Sequence, residues 1–435
     1  MIGTFLFEVD TTIVTQNLRL TTQRIFPVFT MVSFCLYFTV VVFWTVACHA
    51  LYDCPRPDCE TCIPAGIYDA PGVGFDLTSS YGTSAVHYYN GTVVEVIQIE
   101  GEPEYLELMT RLAEGGKPNL IEDQGFLRRF YFKLFAFLDS SIGLPFPARA
   151  GWYWLNKKLG HPVEVDDIQV LRKMLWNLEL ATEKHIRQGL NGVAVTTPDI
   201  PTLSPKMINT ALQELNLHTW TDDCPWYPNR LVEADAVYAA NGFGLCKNYH
   251  DLWECEDEFE GASYPAILFV SFTRHLLYTS IFIPDHSEAL LRFAYDEMKA
   301  FNFEIGLDRI LEADDQDLSW ARLREEIAVF ARSSEFQITH LLLAGESTTN
   351  SLFQDHLKDA LSGLSGLYIG PKRTPFALAE STHKEKVMDL TFAAARGAAL
   401  YARRRQEVQC DCSETKECES SRQKERSAGQ VKQDL

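Results

Sequence analysis

The stretch from Pro71 to Ile99, PGVGFDLTSSYGTSAVHYYNGTVVEVIQI, constrains the fold most. It reads as a buried strand over Val73 to Leu77, a small-residue turn at Thr78, Ser79 and Ser80, and a second strand. Asn90-Gly91 then turns the chain into a third strand, Thr92 to Ile99. Asn-Gly between two β-branched and aromatic runs signals a two-residue hairpin turn, because both central residues must tolerate positive φ. The stretch is therefore a three-stranded meander. Asp76 stands where the first strand meets a turn of Thr and Ser, whose backbone N–H groups and hydroxyls can cradle an anion. A phosphate corner and a bare hairpin both fit these residues.

The chain beyond the meander alternates helical and strand patterns. Glu104 to Glu114 reads as a short amphipathic helix. Val165 to Leu190 reads as a long one, with Ile168, Leu171, Leu175, Leu178 and Ile186 on one face. An apolar strand at Val193-Ala194-Val195 runs into Thr196-Thr197-Pro198, and Ser204-Pro205 marks the next helix start, with the hydroxyl as cap. An Ala-rich run, Glu233 to Gly244, follows. A hairpin is expected over Tyr264 to Pro284, with its corner near Arg274-His275, then helices over Ser287 to Phe301 and Leu318 to Ala331. Ile338 to Glu346 reads as a buried strand ending in Gly345-Glu346-Ser347, with a helix through Phe353 to Leu361. Asp389 to Arg405 forms a second Ala-rich helix.

Four of these motifs, in order, resemble the ATPase domain of the seventy-kilodalton heat-shock proteins, within the actin and hexokinase superfamily. They are the opening strand with DLTSS, the helix, strand, Thr-Pro and helix crossover ending at Leu215-Asn216-Leu217, the Ala-rich run from Glu233 to Gly244, and LLLAGES with the closing helix. The resemblance implies an α/β, two-lobed actin-like ATPase fold with duplicated ribonuclease-H-like lobes. It implies a nucleotide cleft lined by Asp76, Thr78, Ser79 and Ser80 on one side and by Gly345, Glu346 and Ser347 on the other. Two connecting helices would cross at hinge residues Gly242 and Gly397.

The same comparison exposes departures. Thr78 stands where the family has Gly, and a β-branched residue obstructs close backbone approach. The second phosphate loop, an Asp followed by Gly-Gly-Gly-Thr in the family, is replaced by FVSFTRHLLYTS, with neither the Asp nor any Gly. Glu346 replaces the second Gly of Gly-Gly-Ser. The resemblance thus implies ATP with magnesium bound weakly or not at all, with Asp76 the candidate for orienting metal-bound water and no residue marked as a metal ligand. Phosphoryl transfer needs a positioned metal and neutralised phosphate charge, so a degenerate ATPase is expected rather than an enzyme.

From residue 25 to residue 51 the chain has no Asp, Glu, Lys or Arg and is apolar on every face. Some 20 apolar residues suffice to cross a bilayer core, so this is a candidate single-pass transmembrane helix. Arg19 and Arg24 precede it and only Arg56 follows nearby, which places the large domain in the lumen or outside the cell. Asn90-Gly91-Thr92 is a glycosylation acceptor and the chain has 11 cysteines, both in keeping with that side. Residues 126–146 are hydrophobic but interrupted by Arg128, Arg129 and Lys133, the pattern of a packed or partner-facing helix.

The expected organisation is an N-terminal tail (1–24), the span (25–51), a Cys-rich stalk (52–71), a first lobe (72–245), a second lobe with closing helix (246–409) and a disordered tail (410–435). A formal charge of −20 argues against nucleic acid as a partner. The function expected is that of a membrane-anchored, degenerate heat-shock-type ATPase-domain protein that works through partner proteins and has no peptide-binding domain. An active ATPase or phosphotransferase, and a structural membrane protein without a ligand, are the alternatives.

Overall fold

A computed structural model describes residues 58–115, 167–221, 230–247, 249–250, 258, 266–288, 291–363, 389–409 and 412–433. The candidate span at 25–51 and the hydrophobic segment at 126–146 lie outside these residues. Among the described residues no helix is long and apolar enough to cross a membrane.

The chain is α/β, with two mixed sheets. The first takes β1 (Gly72–Leu77), β2 (Tyr81–His87), β3 (Val93–Glu100), β4 (Gly192–Thr197) and β5 (His218–Thr219) in the order β3-β2-β1-β4-β5, and β6 (Leu231–Val232) pairs with β4. The second takes β7 (Ala266–Phe272), β8 (Leu277–Glu288), β9 (Leu291–Asn302) and β10 (Ile338–Ala344) in the order β9-β8-β7-β10. Both sheets repeat one wiring. A three-stranded antiparallel meander is followed by a strand that returns parallel to the meander's first strand, β4 beside β1 and β10 beside β7.

The meander forms as its turn signals require. Gly91 takes φ 82°, and Asn90 Oδ1 accepts the Thr92 N–H at 2.9 Å. In the first half, α1 (Ala65–Tyr68), α2 (Pro103–Ala113), α3 (Asp167–Ile186) and α4 (Pro205–Gln213) are the helices. Leu171, Leu175 and Leu178 of α3 pack with Leu108 and Met109 of α2 against Phe75 and Leu77 of β1. Ser204 precedes α4 as expected, but its hydroxyl makes no capping bond; Pro205 at the first position carries the start.

In the second half, α6 (Leu307–Glu312), α7 (Gln316–Arg332) and α8 (Ser351–Leu361) cover one face of the sheet. Leu268, Val270 and Phe272 face α7 and α8, and the Phe272 ring stacks on Phe353 at 4.5 Å. The intervening Ile267 and Phe269 face α5 (Glu233–Ala240) and α9 (Ala393–Arg405). A strand buried on both faces reads as a continuous apolar run, as β7 does.

One expected helix is a strand. Residues 291–302 form β9, paired antiparallel with β8. The stretch carries both a helical spacing and an alternation at Leu291, Phe293 and Tyr295, and the neighbouring strand selects the alternation. Phe301, for example, stacks on Tyr278 at 4.5 Å.

The α9 helix lies between β1 and α5. A Cβ at Gly74 would fall 2.1 Å from Ala399 N, and one at Gly397 would fall 1.9 Å from Ala236 O. The helix crossing is therefore at Gly397 and Ala236. Gly242 is not at the crossing: it follows α5 with φ 80°, has open space where a Cβ would be, and ends the helix.

The C-terminal segment, expected to be disordered, is a helix, α10 (Lys416–Gln433). Its order comes from cross-links and ion pairs instead of an apolar stripe. Cys59 bonds Cys412 and Cys62 bonds Cys418, so the cysteines of the expected stalk are stapled to the chain end. Arg422 lies over the Tyr68 ring at 4.0 Å and pairs with Glu414 at 2.5 Å, while Arg426 holds both oxygens of Asp69.

Substituting Gly397 by Leu should prevent a folded chain or cost more than about 4 kcal/mol in urea unfolding, because the Ala236 main chain occupies the space a side chain would need. Gly242→Ala should cost only about 1 kcal/mol, the strain of a positive φ in open space. Equal effects would show that the crossing is misassigned.

Candidate functional site

In open α/β sheets the C-terminal ends of parallel strands are where sites collect. Here β1 and β4 offer one such edge, β7 and β10 another, and both edges are rich in buried polar groups. Asp76 is paired across the sheet with Thr83 on β2 and Thr196 on β4, so the three side chains form one row on one face. Thr196 Oγ1 donates to Asp76 Oδ1 at 2.8 Å. Thr83 Oγ1 is fully buried and has no hydrogen-bond partner among the described residues.

The corner after β1 is a threonine turn. Thr78 Oγ1 accepts the N–H groups of Ser80 and Tyr81 at 3.1 and 2.9 Å and donates to Tyr81 O at 2.8 Å. The corner after β7 repeats it. Thr273 Oγ1 accepts the N–H groups of His275 and Leu276 at 3.4 and 3.1 Å and donates to Leu276 O at 3.3 Å. The two corners touch, with Ser80 Oγ and Thr273 Oγ1 2.8 Å apart. Tyr105 OH donates to Thr78 O at 2.6 Å, and the Leu307 and Asp308 N–H groups go to the carbonyls of Thr273 and Arg274.

Glu233, the first residue of α5, accepts from Ser271 Oγ at 3.0 Å and is buried. Glu346 reaches over the second corner, where its Oε1 accepts the Arg274 N–H at 2.8 Å. The Arg274 side chain points away, exposed, to Asp308 at 3.0 Å. Burial pushes the Asp76 carboxyl up to about 7, partly opposed by the Thr196 bond, and pushes Glu346 up to about 7 as well. Burial, with the Asp76 charge adding to it, holds Glu233 well above the usual carboxylate range. Tyr81 is raised by burial first and then by the nearby Glu346 and Asp76 carboxyls.

No known family model and no characterised protein matches this chain.

Of the residues singled out from the sequence, Asp76, Thr78, Ser79, Ser80 and Ser347 are buried at the two strand edges, with Glu346 between them and solvent. Gly345 has the expected glycine geometry, with φ 100°, but the backbone it approaches is Phe272, whose carbonyl would lie 2.3 Å from a Cβ. The helix start behind it is already capped, since Asn350 Oδ1 accepts the Leu352 and Phe353 N–H groups. Ser347 Oγ is buried without a partner among the described residues. Among the described residues no group of His, Cys, Asp and Glu has the arrangement of a metal site.

Glu233, Ser271, Thr273 and Tyr81 were not singled out from the sequence. A threonine directly after the strand at both corners was the available signal, visible only once the two hairpins are set side by side.

Thr273→Val removes the acceptor of two main-chain N–H groups and the partner of Ser80. It should lower stability by about 2–3 kcal/mol in chemical unfolding, against about 1 kcal/mol for Ser80→Ala, which removes one hydroxyl. A near-zero cost for Thr273→Val would show that the corner is open to water.

Proposed function

We propose that the chain is a membrane-anchored, catalytically degenerate protein with a two-lobed actin-like ATPase domain, acting through partner proteins and binding nucleotide weakly or not at all. The repeated meander-plus-parallel-strand wiring, the paired threonine corners and the two helices crossing at Gly397 support the duplicated-lobe reading. The degenerate reading is carried by one observation. The two corners between which phosphates would have to lie bond directly to each other through Ser80 and Thr273.

The donors that an anion would need are already engaged. The Ser80, Tyr81, His275 and Leu276 N–H groups go to threonine hydroxyls, and the Arg274 N–H goes to Glu346. A phosphate would have to displace Glu346 Oε1 to reach that N–H. Hydrolysis needs in addition a metal and an aligned water, and Asp76 is enclosed and hydrogen-bonded to Thr196.

Disulfides joining Cys59 to Cys412 and Cys62 to Cys418, with Cys246 also disulfide-bonded, support an oxidising compartment for the large domain. Asn90 is exposed at the tip of its turn, accessible to a glycosylating enzyme. Both agree with a span at 25–51 that leaves the domain lumenal or extracellular.

Titration calorimetry of the purified chain with magnesium-ATP should give no binding tighter than about 1 mM, and no steady turnover. Hydrolysis that Asp76→Ala abolishes would overturn the degenerate reading. Glycan removal should speed migration on a gel, and Asn90→Gln should remove that shift. A protease-accessible domain on the cytosolic face of sealed vesicles would reverse the topology.

A further inference from the structure

The contact between the two corners brings three carboxyls together from three separate elements, Asp76 from β1, Glu233 from α5 and Glu346 from the turn after β10. Asp76 and Glu346 both act electrostatically on Glu233, and all three act on Tyr81. Among the described residues none of them makes an ion pair with Lys or Arg. The partners they do have are neutral donors: Thr196 for Asp76, Ser271 for Glu233, and the Arg274 N–H and the Tyr81 hydroxyl for Glu346. Ionised carboxylates taken out of water are strongly disfavoured unless a cation compensates, so this arrangement suits neutral acids.

Nor do two neighbouring hydroxyls in the fold reach the carboxyls as further donors: Thr83 Oγ1, across the ladder from Asp76, and Ser347 Oγ, next in the chain to Glu346, are buried without a hydrogen-bond partner among the described residues. We infer that the junction between the two corners is proton-linked: Asp76, Glu233 and Glu346 hold it together as neutral acids and loosen it when they ionise. The inference rests on the observed contact and on no assumption about nucleotide.

The remaining ionisable neighbours do not supply the missing counter-charge. Glu100, at the end of β3, faces Glu346 and adds negative charge. Tyr81 and Tyr105, from β2 and α2, are both held neutral by burial. The Arg274 guanidinium is engaged by Asp308 in solvent and acts on Glu346 only from outside. Asp389, beside the turn at residues 390–392, is exposed and accepts the Thr391 N–H.

The direction follows from the raised carboxyls. In a loosened state, with water at each group, Asp76 and Glu346 would return towards the ordinary carboxylate values near 4. In the closed state both stand at about 7. The closed junction binds the extra protons, so it is fully favoured below about pH 4 and loses that advantage as pH rises to about 7. Across that window the closed-to-loosened ratio falls by up to about tenfold per pH unit for each carboxyl that titrates.

Hydrogen exchange of the full chain, followed by mass spectrometry from pH 5.5 to 8.5 and corrected for intrinsic exchange, reads this directly. Peptides covering residues 76–87 and 266–283 should lose protection as pH rises, while peptides in α7 should not. Asp76→Asn and Glu346→Gln should each flatten the dependence. An oxidised Ser80→Cys, Thr273→Cys pair, tying the corners together, should abolish it. Protection that does not change with pH in the wild type, or a dependence that survives in both amide variants, would overturn the inference. Where the cysteine pair does not oxidise, the amide variants decide alone.

Discussion

Everything in the described part of the chain depends on one close approach. The backbone of α9 runs directly along β1 on one side and against α5 on the other, at separations that leave no room for a side chain at Gly72, Gly74 or Gly397. Packing that tight makes the helix an integral layer of the first sheet. Ala393 and Ala394 belong to the core shared with β7 and β10, whereas Ala398 and Ala402 belong to the core shared with β4. A single helix of small residues thus joins the cores of both sheets, and α5, equally small and buried, is its partner.

That joining fixes what happens at the strand ends. Once α5 and α9 set the distance between the two sheets, the corners after β1 and β7 meet, and every polar group at the meeting must be satisfied without water. The chain answers twice in the same way, with a threonine whose hydroxyl takes two N–H groups of its own turn. Glycine-rich corners leave such N–H groups for a ligand; β-branched corners use them internally. The junction's carboxyls depart from this self-sufficiency, since among the described residues each has a hydrogen-bond donor but none an ion-pairing Lys or Arg. That is why the electrostatic strain of the fold collects there.

The two chain ends are held by a different kind of force. Around Tyr68 and Tyr89, guanidinium groups of Arg403, Arg422 and Arg426 lie over aromatic rings and pair with acids, beside the two disulfides. The closing helix α9 and the chain end after it are thereby tied to the segment that enters the first sheet. Covalent closure over more than 350 residues of sequence separation restricts the unfolded chain strongly.

Local patterning by itself determined much of the fold. The meander with its Asn90-Gly91 turn, the amphipathic α3 and α7, the buried strand before Gly345 and the Ala-rich helix bearing Gly397 all follow from periodicity and turn chemistry within a few residues. Residues 291–302 became a strand only because β8 offered an edge, since their own spacing permits a helix. Gly242 was expected at the crossing, but helix phase and termination put it in open space. The C-terminal helix has no apolar stripe to announce it; Cys412, Cys418, Arg422 and Arg426 order it through partners some 350 residues away in sequence. Asp76 and Glu346 could be named from the sequence, but Glu233 and Thr273 could not. A buried carboxyl and a contact between two corners are properties of the distance between sheets. That distance is set by backbone meeting backbone, which no local pattern encodes.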